Sequence, residues 1–239
     1  MKRLVRSTRP LRRWFVRQTR RPRVGKVDFG DLNRTEPVSR DWGFDRGTPV
    51  DRIYIERFLS AHSKDIQGRV LEVADSVYTK RFGGARVKRS DVLHPAPGNP
   101  RATLIADLDT GEGVREGLFD CVICTQTLQF IYRVEKAIGS LERMLKPSGV
   151  LLLTVPGISQ ISREDMEETG DYWRFTTASL ERLLRPYFDG YVTVSTMGNV
   201  YSATAFLQGV AAEELDSTAL DHVDSQFQLL LTARVVKRG

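Results

Sequence analysis

Three acids close successive short strand-like runs: Glu72 after Val70 and Leu71, Asp91 after residues 85–90, and Asp107 after Leu104 and Ile105. A carboxylate at a strand end can accept both hydroxyls of a ribose, and a tight turn after the first strand lets the backbone approach a ligand closely. Two amides, Gln126 and Gln129, follow a fourth apolar run. A further polar group lies in the connection 158–175, which carries Glu164, Asp165, Asp171, Tyr172, Trp173 and Arg174. That stretch is long and too rich in charged and aromatic side chains to be a passive linker.

The elements that must position these residues alternate in type. Thr48 and Pro49 start a helix that runs to about His62. The first strand begins at Gly68 and Arg69 and turns at Ala74, Asp75 and Ser76; Lys80 to Gly84 is a turn. Residues 85–94 and 102–110 read as the next two strands, 118–131 as a fourth strand running into a helix start, 134–145 as a helix and 150–157 as a fully buried strand. Thr176 or Thr177 caps a helix that ends at Leu184. Residues 191–197 form a strand, 199–215 a helix and 227–237 the last strand. Strands alternating with helices imply a parallel, doubly wound sheet.

A chain of 239 residues with 28% charged and 41% hydrophobic residues fits one soluble α/β domain. Its net charge of +6 is local: residues 1–26 hold eleven Lys or Arg and no acid, leaving 25 basic against 30 acidic residues elsewhere. The organisation expected is a basic tail, 1–26, and a single domain, 27–239. A mildly acidic body disfavours nucleic acid as a partner. Trp14 and Phe15 among arginines suit peripheral contact with an anionic membrane surface, while the pair Arg12 and Arg13 lacks the apolar stretch an export signal needs. No apolar run approaches the roughly 20 residues that span a bilayer. Cys121 and Cys124 read as small hydrophobes on a buried strand in a reducing cytoplasm. No metal cluster is visible in the sequence.

VLEVADSVYT at 70–79, the acids that follow it and GDYWRFT at 170–176 carry a resemblance. The chain resembles the class I S-adenosylmethionine-dependent methyltransferases. More narrowly, it resembles type 11-like bacterial members associated with glycan and natural-product pathways, over roughly residues 40–237. The resemblance implies a Rossmann-like, mostly parallel seven-stranded sheet and S-adenosylmethionine as cofactor. Glu72 matches the family's first acid. Ala74, Ser76 and Tyr78 stand where the family has glycines, so Asp75, Tyr78 and Thr79 would form a local substitute. Asp91, with Val92, matches the ribose-binding acid, and Asp107 with Leu108 the adenine contact. Thr125, Gln126 and Gln129 would face the methyl-donor side, and Arg52 and Tyr54 the methionine carboxylate.

A hydroxyl acceptor needs a base, for which Asp165, Glu164, Asp171, His94 and Asp45 are candidates. By the same resemblance Tyr172 and Trp173 would stack on a sugar ring and Arg174 would hold a polar or acidic group. The alternative is that Trp173 and Phe175 pack the helix start while Arg174 pairs with Asp171. Trp42 either covers the cleft or staples its loop to the core. The expected activity is O-methylation of a glycan, glycolipid or glycosylated metabolite. A non-catalytic scaffold with a degenerate cofactor loop is a second reading. A nucleic-acid methyltransferase guided by the tail is a third; the Asp/Asn-Pro-Pro-aromatic run of base-modifying enzymes is absent, with TQTL in its place.

Overall fold

The computed structural model describes Thr19 and residues 22–239. The chain divides after Val38. In the first unit a single 3-10 turn spans Gly30–Leu32, and Asp28 accepts the N–H of Gly30 at 2.8 Å. The tail readings built on Arg12, Arg13, Trp14 and Phe15 lie outside the described residues.

The unit Ser39–Gly239 is a sheet with helices on both faces. In chain order its elements are α1 (Val50–Ala61), β1 (Gly68–Val73), β2 (Val87–His94), β3 (Leu104–Ile105), β4 (Phe119–Thr125), α2 (Val134–Met144) and β5 (Leu145–Pro156). There follow α3 (Arg163–Glu168), α4 (Thr177–Leu184), β6 (Val192–Met197), α5 (Val200–Gln208), α6 (Ser217–Asp221) and β7 (Leu230–Val236). The seven strands lie in the order β3-β2-β1-β4-β5-β7-β6. β7 runs antiparallel to both β5 and β6, and the other pairs are parallel. The order reverses between β1 and β4, and a crevice outside the carboxyl ends of the strands is expected there.

The central strands are apolar on both faces because helices cover both. Leu71, Val122, Cys124, Leu151 and Leu153 pack with Ala137, Ile138 and Leu141 of α2 and Leu180 and Leu184 of α4. Val70, Cys121, Ile123 and Leu152 pack with Tyr54, Ile55, Phe58 and Leu59 of α1 and Phe206 of α5. Each such aliphatic side chain contributes about 1.5–3 kcal/mol by leaving water. Cys121 and Cys124 therefore belong to opposite faces of the sheet, as residues three apart on a strand must. Both are free and buried, and burial pushes the Cys124 thiol up to about 12.

Several placements differ from the sequence reading. The helix expected over 199–215 stops at Gln208, because Gly209 takes a left-handed conformation (φ +69°) that ends it. Asn199 and Ser202 open it with a reciprocal capping box. β3 is only two residues long. β2 continues to His94, so Asp91 lies inside it rather than at its end. The start of α4 agrees with its motif: Thr176 accepts the N–H of Ser179 at 3.2 Å, and Ser179 accepts that of Thr176 at 3.0 Å.

Candidate active site

The turn after β1 is held by a carboxylate. Glu72 is buried, and its two oxygens accept the N–H groups of Tyr78 (3.1 Å) and Thr79 (2.7 Å). Burial raises the Glu72 carboxyl to about 7 against these hydrogen bonds. Ala74 adopts φ +73°, the left-handed conformation a glycine would take at no cost. Its N–H donates to the Leu93 carbonyl at 2.9 Å, and its own carbonyl accepts from Asn99 at 2.8 Å. Asp75 accepts the N–H of Val77 at 3.0 Å. The backbone shape of a glycine turn is thus kept without glycine, at a strain of roughly 1–2 kcal/mol.

A cleft of about 210 Å³ opens at the carboxyl ends of β4 and β5. Its lining includes Trp42, Asp51, Arg52, Gln126, Gln129, Glu164 and Asp165. That volume is below the roughly 300–1,000 Å³ of drug-sized pockets, so it suits a small group rather than a whole nucleoside. Trp42 (φ +50°) and Gln126 (φ +47°) are both in the left-handed region. With Ala74 they place three of the four strained non-glycine residues among the described residues at the cleft or the adjoining turn.

Asp51 is the residue the sequence reading missed. It is 8% exposed at the start of α1 and accepts from Gln126 Nε2 at 3.3 Å. Burial pushes its carboxyl up, opposed by the neighbouring Arg52 charge and the Gln126 hydrogen bond. Gln129, 6% exposed, donates to Gln126 Oε1 at 3.5 Å and leaves its own Oε1 buried with no partner. Arg52 reaches the Tyr78 hydroxyl at 3.3 Å and lies 5.9 Å over the Phe44 ring.

Several expected site residues sit elsewhere. The Asp91 carboxylate is 2% exposed and paired with Arg69 (2.7 Å) and Arg89 (3.2 Å), with the Thr103 hydroxyl at 3.1 Å. Burial pushes its carboxyl up, but the Arg69 and Thr103 hydrogen bonds and the two arginine charges outweigh it, and the net shift is downward. This acid ties strands together and does not reach the crevice. Val92 beside it is buried inside β2. The residue at the strand end is His94, whose Nδ1 lies 2.7 Å from the Ala96 carbonyl. Tyr54 is in the core with its hydroxyl on the Leu220 carbonyl at 3.0 Å. Leu108 is buried under α2, where its carbonyl accepts from Ser140 at 3.0 Å. Asp107 accepts the Asp109 N–H at 2.7 Å just beyond β3.

On the acceptor side, Arg174 is committed rather than free: both its terminal nitrogens bond Asp171, at 2.6 and 2.8 Å. Asp171 also accepts the Ser162 N–H at 2.9 Å, so neither partner is available as a base or an acceptor clamp. Asp165 takes the hydroxyl of Ser162, the residue that caps α3, and Asp45 takes that of Ser39. Glu164 is exposed on α3. Tyr172 and Trp173 hang from one carbonyl, that of Gln129, at 2.8 and 3.3 Å. With Tyr132 they form an aromatic shelf whose chain neighbours Gln129, Asp171 and Arg174 line the cleft: Tyr132 is 5.3 Å from Tyr172 edge-on and 6.1 Å from Trp173 in a stacked arrangement. All three are exposed, at 65%, 46% and 36%. Phe175 is buried in the core.

The strand order, the antiparallel seventh strand and the crevice beyond β1 and β4 define the class I methyltransferase fold. Residues 67–153 match a family described as a methyltransferase domain. Together these place a methyltransferase domain at residues 67–153 of a chain with the class I methyltransferase fold. The crystal structure of YcgJ from Bacillus subtilis is 13% identical with a TM-score of 0.50, covering 77% of this chain and 99% of that one. A SAM-dependent methyltransferase from Archaeoglobus fulgidus is 10% identical with a TM-score of 0.51, covering 78% and 94%. The [4+2]-cyclase SpnF is 17% identical with a TM-score of 0.51, covering 81% and 84%. The last shows that this fold also carries other chemistry, so substrate must be argued from the site. No curated protein sequence matches the chain. Among the described residues no helix is long and apolar enough to cross a membrane, and no group of three or more His, Cys, Asp or Glu could hold a metal ion.

The turn after β1 fits the cofactor, since Ala74 preserves the left-handed backbone that allows close approach. At the ribose end Asp91 is withdrawn, and His94 and Asp107 are the polar side chains that follow β2 and β3.

Proposed function

We propose that this enzyme O-methylates a hydroxyl on a glycan, glycolipid or glycosylated metabolite. The observation that carries the reading is the aromatic shelf of Tyr132, Tyr172 and Trp173, fixed by the Gln129 carbonyl beside the cleft. Exposed aromatic faces next to a polar cleft suit a sugar, which has apolar C–H faces and a rim of hydroxyls.

Bound, S-adenosylmethionine supplies a methyl group already activated on sulfur. The protein's own work is alignment and exclusion of water. The turn 74–78 would lie against the cofactor's backbone-facing side and Arg52 would hold its carboxylate. Thr125 and Gln126 would border the methyl, and His94 and Asp107 the nucleoside end. The basic tail would keep the enzyme on the cytoplasmic face of an anionic membrane, where glycolipid acceptors are made.

The test is calorimetry with S-adenosylhomocysteine, followed by saturation-transfer NMR of methyl glycosides on that complex. Cofactor binding should weaken at least tenfold in Arg52→Ala. Glycoside signals should vanish in a Tyr172→Ala, Trp173→Ala double variant that still binds S-adenosylhomocysteine. Unchanged glycoside signals in that variant would remove the shelf from the account.

A further inference from the structure

We infer that Asp51 is the catalytic base of methyl transfer and that the unpaired oxygen of Gln129 receives a second hydroxyl of the acceptor, which is therefore a diol or polyol. The inference rests on the O-methylation reading and names the groups that carry it out.

Of the carboxylates in and near the cleft, Asp51 is the one both enclosed and uncommitted. Asp171 is clamped by Arg174, Asp165 and Asp45 each take a serine hydroxyl, and Glu164 is in solvent. Asp51 lines the cleft, accepts a 3.3 Å side-chain hydrogen bond from Gln126 besides the backbone N–H groups at the start of its own helix, and forms no salt bridge among the described residues. The charged groups around it are Arg52 on its own helix, with Tyr78 and Asp75 behind that arginine, and Glu164, Asp165 and the Asp171–Arg174 pair across the cleft.

Gln129 supplies an independent observation. Its Oε1 is a buried hydrogen-bond acceptor without a partner, and its residue borders the same cleft. Leaving such an atom unsatisfied costs about 1–3 kcal/mol, which a ligand donor would recover. Gln126 joins the two: its Nε2 meets Asp51 and its Oε1 meets Gln129, and its left-handed backbone fixes that orientation. The array offers two acceptors to a ligand, and neighbouring hydroxyls supply two donors.

The step balances without a further reactant. A lone pair of the acceptor oxygen forms the new C–O bond as the methyl carbon–sulfur bond breaks. The sulfonium's electron deficit is filled by the breaking bond, leaving a neutral thioether. The hydroxyl proton passes to the Asp51 carboxylate, which becomes the neutral acid and returns the proton to water after product release.

The test uses the full chain, S-adenosylhomocysteine, and methyl glycosides of the manno, gluco, galacto and rhamno series. Asp51→Asn should bind S-adenosylhomocysteine within threefold of wild type. With labelled S-adenosylmethionine and whichever glycoside binds, it should lose at least 100-fold in kcat with KM within threefold. The rising limb of the wild-type kcat–pH profile should be missing. Asp51→Glu should restore part of kcat, and Gln129→Leu should raise KM at least tenfold with little change in kcat. A kcat loss under fivefold in Asp51→Asn overturns the assignment. So does a tenfold loss of S-adenosylhomocysteine affinity, which would put Asp51 on the cofactor instead. If S-adenosylhomocysteine binds and no glycoside does, the inference and the acceptor class fall together while the cofactor assignment stands.

Discussion

The acids in the two halves of the crevice differ in their partners. On the cofactor side the carboxylates are satisfied from within: Glu72 by two backbone N–H groups, Asp91 by two arginines, Asp107 by its own turn. On the acceptor side, the Asp51 carboxylate has one side-chain partner and the Gln129 Oε1 has none. Buried polar groups are ordinarily paired, so a satisfied cluster reads as shape-holding and an unsatisfied one as waiting for a ligand. The acids that look most like ligand contacts in sequence are here the ones that hold the backbone.

The largest expected effect separates these roles directly. Asp91→Ala should destabilise the fold by about 3 kcal/mol in urea denaturation, because it leaves the partly buried Arg69 without its counter-charge. The estimate sits toward the low end for buried pairs because the Arg69 and Arg89 side chains keep water access, at 24% and 62% exposed. S-adenosylhomocysteine affinity of the folded fraction should stay within a few fold. A stable variant with abolished binding would return Asp91 to the ribose.

The next effect is on pH. Glu72 has a folded pKa of about 7, above the ordinary carboxyl value of 4.5. The folded state therefore binds more protons between those values, and the stability linked to Glu72 is full below pH 4.5 and lost as pH rises through 7. The loss is at most on the order of 3 kcal/mol. Denaturation at pH 5 and pH 8 should show wild type weaker at pH 8, and Glu72→Gln should flatten that difference. An equal slope in both proteins would mean that another group sets it.

Smaller effects complete the contrast. Tyr132→Ala removes an edge contact and a stacked contact on the acceptor-side shelf. It should cost about 0.5–1.5 kcal/mol of stability and weaken glycoside binding without touching S-adenosylhomocysteine affinity. Ala74→Gly should stabilise by up to about 1 kcal/mol, since relief of left-handed strain outweighs the added freedom of the unfolded chain. A destabilised Ala74→Gly variant would mean that the Ala74 side chain packs usefully in its turn.

Much of the scaffold was legible from residue pattern. The continuous apolar run at 150–157 could be buried only between two helical layers, and the Thr176 cap marked its helix start. The departures have specific causes. The run VKRSD looks like a strand giving way to solvent, yet its aspartate is buried and paired with Arg69 of the neighbouring strand. Arg52 and Tyr54 were both assigned to the methionine end, but residues two apart on a helix point about 200° apart, so one lines the cleft and the other enters the core. Asp51 in the first turn of a helix is the residue a helix dipole favours anyway, so its type carries no signal. What distinguishes it is enclosure by Gln126 and the 159–174 segment, a property of tertiary packing. The missing partner of Gln129 is likewise visible only once the surrounding backbone is in place.

The most direct measurement of the central claim is a calorimetric titration of the folded chain with S-adenosylhomocysteine, run on wild type, Asp91→Ala and Asp51→Asn. All three should bind in the micromolar range, with the two variants within a few fold of wild type. Absence of binding by folded wild type at millimolar ligand would contradict the cofactor site itself. Binding by wild type that disappears in Asp91→Ala or Asp51→Asn would contradict the division between shape-holding acids and acceptor-facing ones.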